Sequence, residues 1–356
     1  MISHDSDRLF EQTFASEASL REFQQSVIAW FEQEGKSYPW RETTDPYAIL
    51  VSELMLQQTQ IATVLGRGYY TRWHETFPDL ETLASADEEE LLSAWEGLGY
   101  YNRVRNLQKT ARVLLEEHDG RFPETVEGLL ALPGVGRYTA GAVASFAFDK
   151  SAPIVDGNVI RVMARLLGQT DPVDTTEGKK WLWKIAEFWT PPRKAKAFNS
   201  GIMELGQQTC HRSSPSCCQC PVSKWCRAFA DGMTPLIPAK SQRTKVEERE
   251  ERVGFLLENG QVRLVPESGS RRRGLWKLPS INDQDEIAEE LLRFTYAITR
   301  FRVRLTVYRC RQSPSQPSGS WFSLNDPDSW PPLGSPYKKA LLKLQTFEHD
   351  ELFSLV

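Results

Sequence analysis

Apolar residues recur at three- and four-residue spacings in LREFQQSVIAWFEQ (residues 20–33), ILVSELMLQQTQIATVL (49–65), LETLASADEEELLSAWEGL (80–98) and VRNLQKTARVLLEEH (104–118). That period places each apolar set on one face of a helix. Strand-like alternation is scarce before about residue 230, so the pattern predicts an all-α module over residues 1–230, in two lobes. Residues 231–252 read as a linker, broken by proline in TPLIPAK and densely charged in KVEEREER. Beyond residue 253 the period falls to two. In RFRVRLTVYRCR (300–311), Arg300, Arg302, Arg304 and Tyr308 take one face of a strand while Phe301, Val303, Leu305 and Val307 take the other. RVGFLLENG and QVRLVP read as further strands, EIAEELLR (286–293) as one helix, and SPSQPSGS as a loop, giving a small α+β domain over 253–356.

Composition narrows the class. The chain has 356 residues, 40% apolar and 25% charged, with eleven tryptophans. This exceeds what one core usually sustains and lies far from a disordered profile. The nearly uncharged stretch 138–148 is too short to span a bilayer, and the opening MISHDSDRLFEQ is polar, so a membrane span and a secretory leader are not expected. Net charge is −4 and the pI about 5.9. The field of the whole chain therefore does not advertise nucleic-acid binding, although basic residues cluster at 103–112, 193–196 and 271–273.

Five of the six cysteines fall between residues 210 and 226. Cys210, Cys217, Cys220 and Cys226 are spaced C-x6-C-x2-C-x5-C, a short looped set of thiols that suits either a 4Fe-4S cluster or tetrahedral zinc in a reducing cytoplasm. Cys218 is an alternative to Cys217. In LLALPGVGRYTAGAVASFA (129–147) a helix runs into Gly134-Val135-Gly136 and a second helix follows. Two glycines let the backbone approach closely, and the N–H groups at a helix start attract an anion such as a DNA phosphate, although a plain helix hairpin has the same pattern. Two acids stand where burial is costly. Glu53 interrupts the run of Ile49, Leu50, Leu54 and Leu56, which would raise its pKa as a general acid requires; the alternative is a part-buried ion-pair partner. Asp156 follows the apolar run 152–155 and precedes Gly157 and Asn158, where a helix N-cap is the alternative.

Together YPWRETTDPYAILVSELMLQQTQ (38–60), GLGYYNRVRNL (97–107), LPGVGRYTAGA (132–142), VDGNVIRV (155–162) and the cysteine segment resemble the adenine DNA glycosylase (MutY) family of the helix-hairpin-helix glycosylases. GLWKLP (274–279) is similar to the start of that family's Nudix-like C-terminal domain, without a Nudix box after it.

The resemblance implies an all-α helix-hairpin-helix glycosylase domain with an iron-sulfur cluster loop, and a Nudix-like domain that binds without hydrolysing. It implies a base excision repair enzyme that excises adenine mispaired with 8-oxoguanine or guanine in double-stranded DNA, acting as a cytoplasmic, nucleoid-associated monomer. Glu53 would protonate N7 of a flipped adenine, Asp156 would stabilise the oxocarbenium-like sugar as a fixed charge or transient nucleophile, and Tyr138 and Asn158 would position them. Arg41 matches an active-site arginine. Gln57, Gln58, Leu98 and Tyr100 match the segments that fill the stack and touch the opposite base, and Gly134, Val135 and Gly136 the phosphate-binding hairpin. Cys210, Cys217, Cys220 and Cys226 would hold a 4Fe-4S cluster. Tyr138 stands where bifunctional endonuclease III relatives carry a lysine that forms an imine, so no strand cleavage is expected. Where the family reads 8-oxoguanine with Phe-Ser-His or Phe-Thr-His, this chain has Ile298-Thr299-Arg300. The alternatives are a paralogue with altered opposite-base or lesion preference, with Thr299 and Arg300 making changed contacts, or a catalytically silent DNA-binding cluster protein.

Overall fold

The computed structural model describes residues 14, 16–241, 246–269, 272–282, 287–298, 300–310 and 319–353, the last seven without side chains. The chain forms two compact units: residues 1–58 with 109–243, and residues 59–108 with 244–356.

The first unit is helical. It contains α1 (Glu17–Glu34), α2 (Pro46–Leu56), α8 (Val126–Leu130), α9 (Arg137–Phe148), α10 (Gly157–Leu167), α11 (Thr176–Trp189), α12 (Ala195–Gln208) and the short α13 (Arg227–Ala230). Local chemistry sets the helix starts. Asp45 accepts from the N–H groups of Tyr47 and Ala48 at 3.0 and 3.2 Å, with Pro46 at the first position of α2. Gly168 ends α10 in the left-handed region (φ 65°), which costs glycine least. Phe23, Val27, Val162, Leu166, Leu182, Trp189 and Ile202 share one buried core.

The second unit holds α3 (Ile61–Gly66), α4 (Tyr69–Thr76), α5 (Leu80–Ser85), α6 (Glu88–Ala94), strands β1 (Glu247–Phe255), β2 (Leu257–Glu258), β3 (Gln261–Pro266), β4 (Trp276–Lys277), β5 (Ile287–Ile298), β6 (Phe301–Cys310) and β7 (Ser320–Ser323), and α14 (Ser335–Phe353). The helix α7 (Asn102–Glu117) divides between the units. One sheet has the order β1-β6-β5, with β1 parallel and β5 antiparallel to β6; β3 lies between β2 and β4 in the other and also pairs with β7. In β6 the expected alternation is realised, with Phe301, Val303, Leu305 and Val307 buried and Arg302 and Arg304 exposed.

Three expectations are corrected. The segment 286–293 is not a helix where described: residues 287–298 are β5, paired along β6 with irregularities between Ile287 and Glu289 and between Glu290 and Leu292. Local helix propensity gives way to cross-strand pairing. The charged end of the expected linker forms the first half of β1. Its acids meet a basic strand, with Glu247–Arg300 at 2.9 Å, Glu248–Arg302 at 3.3 Å and Glu250–Arg304 at 3.0 Å, so the charge is matched across strands. The compact units also depart from the expected division at residue 230. Residues 59–108 join the C-terminal strands through the Tyr101 hydroxyl on the Leu333 carbonyl at 3.5 Å and the Leu333 N–H on Glu96 Oε1 at 3.2 Å.

Candidate active site

Residues 47–55 of α2 are all buried, and Glu53 is only 5% exposed among them. Burial pushes its carboxyl up to about 7; the hydrogen bond with Tyr138 and the charge of Arg41 pull it down, while Asp156 raises it further. Near neutral pH Glu53 therefore holds a transferable proton. Tyr138 lies in the first turn of α9, its phenol driven well above the usual range by burial and by the charges of Glu53 and Asp156. It stays a neutral partner of the acid.

Asp156 is the N-cap of α10 as well as a site acid. Its Oδ1 accepts from the N–H groups of Asn158 and Val159 at 3.0 and 2.7 Å, and its Oδ2 from Asn158 Nδ2 at 3.1 Å. Burial raises its pKa and these bonds oppose the shift. The network continues outward: Asn158 Oδ1 accepts from Arg161 Nη2 at 3.0 Å, and Arg161 Nε donates to the Cys210 carbonyl at 2.7 Å. Gly206 permits this approach, because a Cβ there would lie 2.7 Å from Asn158 Cβ.

Arg41 Nη2 stands 2.6 Å from Glu204 Oε2 while its Nη1 donates to the Lys36 carbonyl at 2.8 Å, and the guanidinium lies 4.7 Å over the Tyr38 ring. Sequence reading does not single out Glu204, yet it is fully buried and Gln208 bonds its other oxygen. The signal that marks Glu53, an acid inside an apolar helical run, is also present around Glu204 in IMELG. Arg161 and Arg165 are likewise not singled out.

In the helix hairpin, Gly134 has φ 72°, Gly136 caps α9 without a side-chain acceptor, and the Val135 N–H returns to the Leu132 carbonyl at 3.2 Å. The Thr110 hydroxyl anchors the turn on the Pro133 carbonyl at 2.8 Å. Gln57 follows α2 and is part-buried; Gln58 is exposed on a positive-φ backbone (φ 59°). In the second unit Leu98 is buried and Tyr100 half exposed at φ 50°, in a loop pinned by Arg103 Nη2 on the Leu98 and Gly99 carbonyls at 2.9 and 3.0 Å. Ile298 ends β5, Arg300 is ion-paired with Glu247, and Thr299 lies outside the described residues.

The thiols of Cys210, Cys217, Cys220 and Cys226 line one small cleft, whose lining does not include the exposed Cys218. Burial pushes the Cys220 thiol up to about 12 and that of Cys226 up to about 11. Arg165, 2% exposed, donates to Cys210 Sγ at 3.3 Å and to the His211 and Arg212 carbonyls at 2.6 and 3.0 Å. Among the described residues no group of three or more His, Cys, Asp or Glu is arranged to hold a metal ion, and no helix is long and apolar enough to cross a membrane.

Residues 51–187 match the HhH-GPD superfamily base excision DNA repair protein family. The chain is 43% identical to an adenine DNA glycosylase from Mus musculus over 245 residues, which is 66% of this chain and 47% of that protein. It thus spans about half the length of that curated relative. Among solved structures, it is similar to a thermostable thymine-DNA glycosylase (TM-score 0.54, 31% identity, 60% of this chain and 97% of that one). It is also similar to endonuclease III in a non-covalent complex with DNA (TM-score 0.50, 27% identity, 61% of this chain and 98% of that one). With a buried acid, a capping carboxylate and a glycine hairpin carried on this helical framework, the chain belongs to the HhH-GPD superfamily of base excision DNA repair proteins and, over its matched part, is similar to adenine DNA glycosylases.

Proposed function

We propose that the protein is a monofunctional DNA glycosylase that hydrolyses the N-glycosidic bond of adenine mispaired with guanine or 8-oxoguanine in double-stranded DNA. The observation that carries this reading is Glu53, buried on α2 with its carboxyl at about 7 and hydrogen-bonded to Tyr138. Glu53 gives its proton to N7 of an extruded adenine. The C1′–N9 bond then breaks, with its electron pair leaving on the base. Asp156, oriented by three N–H donors, faces the positive charge that develops on the sugar. Water adds at C1′ and its proton passes to the Glu53 carboxylate, which restores the acid. Tyr138 offers no amine for an imine, so the product is an abasic site in an unbroken strand.

The Gly134-Val135-Gly136 turn binds a backbone phosphate, and Arg41, held by Glu204, borders the acid. Gln57, Gln58, Leu98 and Tyr100 serve the extrusion step, and the C-terminal strands form a Nudix-like domain that binds without hydrolysis. Cys210, Cys217, Cys220 and Cys226 would hold a 4Fe-4S cluster, with Arg165 beside Cys210; the four residues border one cleft, which supports this set, and their thiols would have to draw together around the metal. Such a cluster, when bound, would crosslink the 210–226 loop through these four residues. The enzyme acts as a cytoplasmic monomer.

A second reading is favoured by one observation: Arg300 is paired with Glu247 in a turn that lacks the aromatic ring and imidazole of Phe-Ser-His. Preference for the opposite base is then altered. Single-turnover release of adenine opposite 8-oxoguanine, guanine, cytosine and thymine, compared with Glu53→Gln, tests both readings. Release that falls on the order of a hundredfold or more in Glu53→Gln, with duplex binding intact, supports the glycosylase. Unchanged release refutes the assigned acid. A flat dependence on the opposite base supports the second reading over the first.

A further inference from the structure

The segment Gly97-Leu98-Gly99-Tyr100-Tyr101 of the second unit has a strained backbone. Gly97, Gly99 and Tyr100 have φ of 92°, 69° and 50°, so three residues of four in succession lie in the left-handed region. A Cβ at Gly97 would stand 2.1 Å from the Tyr69 hydroxyl, and Tyr100 carries a side chain where glycine is favoured. Such a backbone persists only where its surroundings over-determine it. Part of that support is local: Trp95 Nε1 donates to the Gly99 carbonyl at 3.1 Å. The residues that flank the loop, Glu96 and Tyr101, face the C-terminal chain instead. Glu96 Oε1 accepts from the Leu333 N–H at 3.2 Å and Oε2 is ion-paired with Lys338 in the first turn of α14, while the Tyr101 hydroxyl donates to the Leu333 carbonyl at 3.5 Å. The fully buried Leu333 is thus gripped at both its backbone groups. Only 18% of the Glu96 side chain is exposed, so its pair with Lys338 is screened less than a surface ion pair.

Behind Leu333 lies the GLWKLP segment, for which bond breaking at Glu53 has no use. The Trp276 N–H donates to the Pro332 carbonyl at 2.8 Å and the Gly334 N–H to the Trp276 carbonyl at 3.3 Å, so residues 332–334 ride on β4. Gly274 (φ 80°) packs against α6 and α7: a Cβ there would lie 2.9 Å from Leu92 Cδ1 and 3.0 Å from Arg105 Nη2, which itself donates to the Arg273 carbonyl. Hydrogen-bonded groups therefore run without a break from β4 through Leu333 to Glu96 and Tyr101, and Leu98 and Tyr100 sit between those two. We propose that Glu96, together with Tyr101, is a positioning residue for base extrusion: it fastens the 97–100 loop to the C-terminal chain, and this attachment sets how fast the target base leaves the stack. The inference rests on the glycosylase reading and adds to it the residues that hold its extrusion loop.

Stopped-flow fluorescence tests it, with a guanine-mismatched duplex that carries 2-aminopurine in place of the target adenine, beside single-turnover release of adenine itself. The unmodified protein is compared with Glu96→Ala, Glu96→Gln and Lys338→Met, each checked by its melting temperature. In Glu96→Ala the fluorescence rise on unstacking is expected to slow about tenfold, the effect of losing a charge-assisted hydrogen bond. Adenine release slows by no more than that factor, and its pH midpoint stays near 7 because Glu53 is untouched. Glu96→Gln keeps an acceptor for the Leu333 N–H and recovers part of the rate. An unchanged fluorescence rise in Glu96→Ala overturns the proposal. So does slowing that Glu96→Gln shares in full, which marks a general packing defect. Where Glu96→Ala does not fold, Lys338→Met carries the test, with a slowing of about threefold expected and an unchanged rise overturning the proposal. Unstacking is read without bond cleavage, so a protein that releases no adenine refutes the glycosylase reading while the fluorescence still decides this one.

Discussion

Glu53 and Asp156 face a similar burden, a carboxyl taken out of water, and resolve it differently. Glu53 sits among apolar side chains and keeps its proton. Asp156 has three N–H donors that favour its charged form. Two consequences can be measured. The Glu53 carboxyl rises from 4.5 to about 7 in the folded state, so its contribution to stability is full below about 4.5 and is lost as pH rises to about 7. The loss is on the order of 3 kcal/mol. Glu53→Gln abolishes it, and scanning calorimetry is expected to find the variant melting higher than the unmodified protein above pH ~7 and level with it near pH ~4.5. Parallel melting curves across that range would contradict the buried-acid account. Asp156→Asn separates the two roles of that residue. Asparagine caps a helix about as well as aspartate, so stability should change by less than about 1 kcal/mol. The charge is gone, so single-turnover base release should fall roughly a hundredfold or more.

At the scale of elements, the site depends on one close approach. A Cβ on Gly141 of α9 would lie 2.2 Å from the Pro153 carbonyl oxygen, in the segment that leads to Asp156. Gly141→Ala must push backbone apart, with an expected cost of about 1–3 kcal/mol by chemical denaturation and a slower base release. Full retention of both would show that this segment tolerates displacement. Glu53 was legible because it breaks an obvious apolar run, whereas the start of α2 was not read although Asp45-Pro46 is a cap followed by a first-turn proline. Asp156 was legible in both its guises for a related reason: the cap and the carboxylate use the same oxygens. Residues 287–298 were not, because a four-residue apolar spacing cannot reveal a partner strand that lies beyond a turn. The EEREER stretch was misread because the basic strand that matches its charge is some fifty residues away. Glu204 was missed although its helix shows the same kind of pattern as α2, since its meaning depends on Arg41, which approaches from a distant turn.

At the scale of the molecule, chain order and compactness diverge: residues 59–108 group with the C-terminal strands, and the first unit is assembled from two separated stretches. Single-sequence periodicity cannot show such a regrouping, because it is written in contacts such as Glu96 with Leu333. The first unit holds the groups proposed for bond cleavage, the Glu53 acid and the Asp156 carboxylate, together with the glycine turn and the cysteine cleft, while Leu98 and Tyr100 lie in the second. The most direct test of the account is the pH dependence of single-turnover adenine release from a guanine-mismatched duplex, measured with saturating protein. The rate is expected to level off below pH ~7 and to fall about tenfold per unit above it, and to fall steeply at all pH values in Glu53→Gln. A rate that holds or rises above pH ~7, or one that survives Glu53→Gln, would contradict Glu53 as the proton donor.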